Sequence, residues 1–344
     1  MAAFRVAVDG AFAKPDGTPT YPDFDLGPLR AAPGVEVVNV ELGAECRPEA
    51  LAGFDALILL LARFTRASVP ADGRLRIVAR FGVGYDTVDV AACTDAGIAL
   101  TITPSGVRRP VAVAILTLLL ALAGKLMDKD RLTRLGPDGY AQRSDFMGTG
   151  LIGRTLASIG VGNIGSEMFR ITAPLGMRGI AHDPYVDPVA VADLGVTLTD
   201  LDTVFREADF LAVNCPLSPE THHLVNAGRI ALMKPTAYLI NTARGPIVDQ
   251  AALTEALTAR RIAGAGLDVQ EQEPPDPADP LLRLDNVVLT PHALCWTDQC
   301  FAGIGASAVR SVLDVAEGRV PGGLVNKAVL GNPRWKDARA DAAA

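Results

Sequence analysis

"TLASIGVGNIG", residues 155–165, joins an apolar run to a glycine turn that opens a helix-like stretch. Gly160, Gly162 and Gly165 form the pattern GxGxxG. Alone that pattern is weak, because Gly-rich turns are common. Between a strand and a helix it is the fingerprint of a dinucleotide-binding unit. Gly160 permits the tight turn, Gly162 lets a pyrophosphate approach the backbone, and Gly165 allows close packing of helix on strand. Amides at the helix N-terminus, those of Asn163 and Ile164 among them, are the expected phosphate donors. The next apolar run ends in "AHDPY", with Asp183 eighteen residues past Gly165. A carboxylate there accepts hydrogen bonds from a ribose diol and repels a 2′-phosphate, so NAD is expected in preference to NADP. The plainer reading of Asp183 is a surface aspartate before a proline.

Around this motif the apolar runs recur with helix-like stretches between them. Runs at 155–162, 178–183, 209–215, 237–243, 264–269 and 286–292 read as six strands. Helical segments are expected at 163–175 and 249–260. An earlier series, at 4–8, 35–40, 55–61, 76–82 and 98–103, reads as strands too, with β-branched residues and flanking Gly, Pro and Asp. Strands separated by helices pair in parallel, so the chain is α/β with doubly wound sheets. A helix is expected over 110–126, followed by a polar, Gly-containing stretch at 128–150. Near the end, Phe301, Ile304, Ala308, Val312 and Val315 recur at helical spacing and mark one apolar face of a helix over 298–317.

The chain has 344 residues, enough for two domains, and is 49% apolar with 21% charged residues. Its net charge of −7 argues against a partner held through nucleic-acid phosphates. The run "PVAVAILTLLLALAG", 110–124, is shorter than the roughly 20 residues of a membrane span, so a buried core helix is expected. The N-terminus does not read as a secretory signal. Five cysteines without CxxC spacing fit a reducing, cytoplasmic compartment. No metal is expected: Cys295, Cys300 and His292 lack zinc-site spacing and an evident fourth ligand.

Only four histidines occur, and His292 stands directly after the apolar run of "NVVLTPH". Hydride transfer to a ketone creates an alkoxide that needs a proton, and histidine is suited to deliver it. A carboxylate would orient the ring, and an arginine fork would bind a substrate carboxylate. Glu273, in "GLDVQEQEPP", and Arg244, in "LINTARG", stand at the ends of neighbouring apolar runs. Ligands of open α/β sheets bind at the carboxyl ends of strands, where all three would converge. Each also has a plainer reading: a surface arginine, one carboxylate of an acidic loop, a satisfied core histidine. The segment "FGVGYDT", 81–87, is a tight strand-end turn or a backbone-lined anion pocket.

"GVGNIG", "LINTARGPIVDQAAL", "GAGLDVQEQEP" and "NVVLTPH" together resemble the D-isomer-specific 2-hydroxyacid dehydrogenase family, over about residues 55–320. The resemblance implies two Rossmann-like domains, the cofactor domain inserted into a discontinuous substrate domain. On that pattern residues 1–105 and 297–330 bind substrate, 106–296 bind NAD, and 331–344 are a tail. It implies interconversion of a D-2-hydroxy acid and its 2-oxo acid. Arg244 would hold the substrate, Glu273 would pair with His292, and His292 would exchange the proton. Asp268 matches a residue near the nicotinamide carboxamide, and Ala243 and Pro216 match backbone contacts to the cofactor. Val83 and Gly84 match a loop whose amides hold the substrate carboxylate. A homodimer is implied, with the 110–124 helix as an interface.

The chain departs from that pattern in places. Val107 stands where many relatives have Asn, and Val113-Ala114 where they have Glu-His. Leu294-Cys295, followed by Trp296, replace a Gly-Gly pair and imply a bulkier wall near the substrate. Arg108-Arg109 either meet a second negative charge on the substrate or are a solvated helix start. A non-enzymatic alternative, an NAD(H)-sensing corepressor-like protein, uses the same fold.

Overall fold

Two all-parallel sheets organise the chain, and each belongs to its own compact unit. The computed structural model describes residues 3–339. The first unit is Met1–Val107 with Trp296–Ala344, and the second is Arg108–Cys295.

The first unit holds β1 (Phe4–Asp9), β2 (Val35–Val40), β3 (Ala56–Leu59), β4 (Ile77–Arg80) and β5 (Ala99–Thr101), ordered β2-β1-β3-β4-β5. One face of this sheet buries Ala7, Leu57, Leu59, Val78 and Leu100. The helix Asp298–Ala316 packs on β4, with Phe301, Ile304, Ala308, Val312 and Val315 all buried, the apolar face expected from their spacing. Thr297 caps it, its hydroxyl accepting the Cys300 amide at 3.1 Å.

The second unit holds β6 (Thr155–Ile159), β7 (Arg178–His182), β8 (Val196–Leu198), β9 (Phe210–Val213), β10 (Tyr238–Asn241), β11 (Gly264–Leu267) and β12 (Val287–Leu289). Their order is β12-β11-β10-β9-β6-β7-β8. The strand order reverses between β6 and β9, which is the switch point where such sheets bind ligands. Both faces are covered, so side chains alternate between two cores rather than between core and water. Leu211 and Val213 of β9 enter one core, Phe210 and Ala212 the other.

Four expectations need correction. The second sheet has seven strands, not six; β8 is a three-residue edge strand, too short to show in the hydropathy. The polar 128–150 stretch contains helices Leu126–Arg134 and Pro137–Ala141, whose apolar residues are too few for a clear stripe. The long helix spans Pro104–Gly124, starting at the proline before the apolar run. It is long and apolar enough to cross a membrane, yet Ala112, Ile115, Leu118, Leu119 and Leu122 are buried in the core of the second unit. The 331–344 tail is packed over its described part. Trp335 is 4% exposed, its indole N–H donates to the Gly97 carbonyl at 2.9 Å, and Arg334 donates to the carbonyls of Leu75 and Ala96. Residues 340–344 lie outside the described residues.

Candidate active site

The glycine turn sits at the switch point. Gly160 has φ +91°, and a Cβ there would lie 2.9 Å from the Asn214 carbonyl carbon. A Cβ on Gly165 would lie 2.7 Å from the Gly160 carbonyl oxygen. Both positions therefore exclude larger residues, one by conformation and contact, the other by packing. Gly162 differs: a Cβ there would meet nothing within 4 Å, so the glycine leaves room above the turn. The helix Asn163–Thr172 begins immediately after it, which makes the amides of Asn163, Ile164 and Gly165 its first-turn donors.

Asp183 follows β7 and is clipped to this turn. Its Oδ2 accepts the Val161 amide at 2.9 Å, and its Oδ1 accepts the Tyr185 amide at 3.0 Å. The Gly160 amide donates to the His182 carbonyl at 2.8 Å. A half-buried carboxylate, an open glycine and a helix N-terminus thus lie together, an arrangement that fits an adenine dinucleotide.

The three candidate chemical residues also converge, at the carboxyl ends of β10, β11 and β12. His292 Nδ1 lies 2.8 Å from Glu273 Oε2. Glu273 Oε1 accepts the Gln270 amide at 3.0 Å. Burial pushes the Glu273 carboxyl up, but His292, the Gln270 amide and the positive charge of Arg244 outweigh it and hold the carboxyl below 4.5. An ionised carboxylate only accepts hydrogen bonds, so Nδ1 carries a proton and Nε2 is the ring atom left for a reactant.

His292 does not end its strand, as expected from the apolar run. β12 stops at Leu289, and His292 lies three residues on with φ +53°. A left-handed backbone at a non-glycine residue costs about 1–2 kcal/mol, so the surroundings must impose it. Asp268 does so. Its buried carboxylate accepts the Thr290 hydroxyl at 2.6 Å and the amides of Ala293 and Leu294 at 3.0 and 3.1 Å. Those bonds bracket His292. The His292 side chain is 42% exposed rather than a sequestered core histidine.

Arg244 is shaped by a residue that sequence reasoning passed over. Asn241, buried at the end of β10, donates through Nδ2 to the Arg244 carbonyl at 2.9 Å and accepts the Ala243 amide at 3.0 Å. Its signal was a polar residue closing an apolar strand. Arg244 Nη1 donates to the Ala243 carbonyl at 2.7 Å. Thus both backbone groups of Ala243 are engaged within its own loop. The Pro216 carbonyl accepts the Thr221 hydroxyl at 2.7 Å.

Arg108 and Arg109 answer to neither of their two readings fully. Arg109 lies 2.7 Å and Arg108 3.9 Å from the carboxylate of Glu167, which is 4% exposed. They neutralise a buried charge on the Asn163–Thr172 helix. In the first unit, Val83 and Gly84 follow β4 in a half-buried loop. Gly82, at φ +123°, starts that loop, and its amide donates to the Thr103 hydroxyl at 3.0 Å. A cleft of about 390 Å³ in the second unit, lined by Lys125, Tyr238, Arg260 and Asp285 among others, opens at the opposite, amino-terminal edge of the sheet.

The family model described as "D-isomer specific 2-hydroxyacid dehydrogenase, NAD binding domain" matches residues 116–293. A glyoxylate reductase of Korarchaeum cryptofilum is 37% identical over 310 residues, covering 90% of this chain and 91% of that protein. A D-3-phosphoglycerate dehydrogenase of Archaeoglobus fulgidus is 38% identical over 250 residues, 73% of this chain, which spans only 47% of that longer protein. Among solved structures, a D-lactate dehydrogenase from Aquifex aeolicus complexed with NAD and lactic acid superposes with a TM-score of 0.77 at 28% identity, covering 91% of this chain and 96% of that one. With this fold, this glycine turn and these relatives, the chain belongs to the D-isomer-specific 2-hydroxyacid dehydrogenases, a family of NAD-binding oxidoreductases.

Proposed function

We propose that this chain interconverts a D-2-hydroxy acid and its 2-oxo acid, using His292 with Glu273 as the acid–base pair and Arg244 as the substrate anchor. The observation that carries the reading is the His292–Glu273 pair, 2.8 Å apart, held at the strand ends beside Arg244.

Gly160, Gly162, Asn163, Ile164, Gly165 and Asp183 would hold the dinucleotide, with backbone groups of Pro216 and Ala243 along its path. Asp183 favours NAD over NADP, since the ribose 2′-phosphate would meet its carboxylate. Bound NADH supplies the hydride. The Arg244 guanidinium binds the substrate carboxylate and polarises its carbonyl oxygen. His292 Nε2 delivers a proton to that oxygen during reduction and takes it back during oxidation. Glu273 holds the ring through Nδ1 and balances the imidazolium charge. Asp268 is assigned to the nicotinamide end of the site, where it also braces the His292 turn. For the first unit, the proposal is that the amides of Val83 and Gly84 bind a carboxylate.

A homodimer is also proposed. Leu120 on the helix Pro104–Gly124, Leu126 and Met127 on the helix Leu126–Arg134, Tyr140 on the helix Pro137–Ala141, and Leu135 and Met147 in the adjoining turns are exposed large apolar side chains. Light scattering on the purified chain tests it. Five cysteines without CxxC spacing suit work in a reducing cytoplasm, on a small acid rather than on a nucleic acid or membrane.

The test follows NADH absorbance with glyoxylate, hydroxypyruvate, pyruvate, phenylpyruvate, 2-oxoglutarate and 3-phosphohydroxypyruvate, with NADPH in parallel. Turnover on at least one acid, collapsing in His292→Ala, is expected. Undiminished turnover in that variant would overturn the role of His292. NADH binding without turnover on any acid would favour the sensor reading.

A further inference from the structure

Beside the acid–base pair lies a second histidine–carboxylate group that the proposed reaction does not use. His222, His223 and Glu271 place one nitrogen or oxygen each within 4.8 Å of one another. His223 Nε2 is 2.7 Å from Glu271 Oε1. The rings of His222 and His223 stack, with centroids 4.1 Å apart. Consecutive side chains of an extended chain point to opposite sides. Here His223 has φ +50°, and this left-handed turn brings neighbouring rings to one side.

We infer that His222, His223 and Glu271 form a binding site for a divalent transition-metal ion of the zinc class. Two imidazoles and one carboxylate are a ligand set that suits zinc, which also takes solvent at an open position. Tetrahedral ligands at about 2.0–2.2 Å from zinc lie about 3.4 Å apart. From 2.7 Å the His223–Glu271 pair needs to open by about 0.7 Å, and the wider separations, at most 4.8 Å, need to close by at most about 1.4 Å, within reach of rotations of these side chains. The ion takes the place of the proton between His223 Nε2 and Glu271. That proton passes to Nδ1 of the same ring or to buffer, and the carboxylate then binds metal instead of a hydrogen bond.

The site is braced from behind, as metal ligands are. Glu271 Oε2 accepts the Gln250 amide at 3.2 Å, and the Glu271 amide donates to Gln250 Oε1 at 2.8 Å. The His223 amide donates to the Pro246 carbonyl at 2.8 Å, and the His222 amide to the Ser218 carbonyl at 2.9 Å. A bound ion therefore ties together three segments: the 218–223 turn, the loop after Arg244, and the loop that carries Glu273 two residues beyond Glu271. An ion that binds only the folded chain raises its thermal stability.

The experiment uses the tag-free chain, stripped with a chelator and titrated with ZnCl₂ by calorimetry near pH 7.5. One ion per chain at micromolar affinity is expected. Affinity should fall at least tenfold in His222→Ala and in Glu271→Gln, and the zinc-induced rise in Tm at a fixed zinc concentration should shrink in both. His222 is exposed, so its variant should keep the parent Tm in chelator and carries the test if Glu271→Gln fails to fold. X-ray absorption of the loaded chain should show nitrogen and oxygen neighbours only. Equal zinc affinity in His222→Ala, thiolate ligation, or no saturable binding would each overturn the site. None of these readouts depends on turnover of any acid.

Discussion

Gly245 and Gln270 approach so closely that a Cβ on Gly245 would stand 1.8 Å from the Gln270 carbonyl oxygen. This contact presses the loop after Arg244 against the loop that carries Glu273. Backbone cannot yield as a flexible side chain does. Gly245→Ala should therefore separate the two loops, lower stability by about 1–3 kcal/mol and reduce kcat/KM more than tenfold. Thermal unfolding and steady-state kinetics of the one variant check both effects.

Removing the proton donor should be the larger chemical loss. His292→Ala is expected to lower kcat by about 10²–10⁴-fold while NADH still binds. Fluorescence titration of NADH alongside kinetics distinguishes lost chemistry from a lost cofactor site.

The sign of the acid response follows from Glu273, whose carboxyl is held below its ordinary 4.5 by His292, the Gln270 amide and Arg244 against the opposing effect of burial. A carboxyl lowered on folding contributes stability above its unfolded value and loses it as pH falls through the folded one. Stability of the parent should thus decline on acidification below about pH 4.5, in a window where Glu273→Gln responds less. Chemical unfolding at a series of pH values measures the difference.

Asp268 braces the left-handed turn of His292, and replacing it isolates that role. Asp268→Ala removes the acceptor of the Thr290 hydroxyl and of the Ala293 and Leu294 amides, all half-buried, at about 0.5–1.5 kcal/mol for each bond lost. Asp268→Asn retains an acceptor and should recover part of the stability. Urea unfolding of both variants checks the order.

Trp335 tests the packing of the C-terminal segment on the first unit. Its indole is buried and bonded to the Gly97 carbonyl, so Trp335→Ala should cost about 3–5 kcal/mol. Hydrogen exchange should show the loss around β5 before it reaches the sheet of the second unit.

Asp183 serves two neighbours, which shapes the outcome of replacing it. Asp183→Ser should raise the KM for NADH about tenfold or more and narrow the preference against NADPH. It also releases the Val161 amide, so some order of the glycine turn goes with it. Kinetics with both cofactors give the ratio.

The glycine turn was legible because its constraints are local. Each glycine stands where a tight turn, a close ligand or a close helix forbids a side chain, and spacing along the chain reports that directly. The doubly buried strands were legible as apolar runs. The edge strand β8 was not, since three residues carry too little pattern, and neither were the helices of 126–141, whose exposed faces lack a clear stripe. The buried tryptophan near the C-terminus escaped notice because an Ala-rich, charged ending outweighs one aromatic residue in composition.

The chemistry divides in the same way. The sequence by itself determined which residue types stand at the ends of the apolar runs: an arginine, a glutamate and a histidine, with an acidic residue after the strand that follows the glycine turn. Tertiary structure alone decided the left-handed backbone of His292, the bracing of its turn by Asp268, the shaping of Arg244 by Asn241 and the contact of Gly245 with Gln270. It also turned Arg108 and Arg109 toward Glu167 and set His222 and His223 beside Glu271. Apart from the local Asn241–Arg244 bond, these join residues distant in sequence, from two helices or from loops that follow different strands of one sheet, and they meet only after the sheet has formed. Hydrophobic periodicity records which face of an element is buried; it carries no record of which polar atoms meet at the ends.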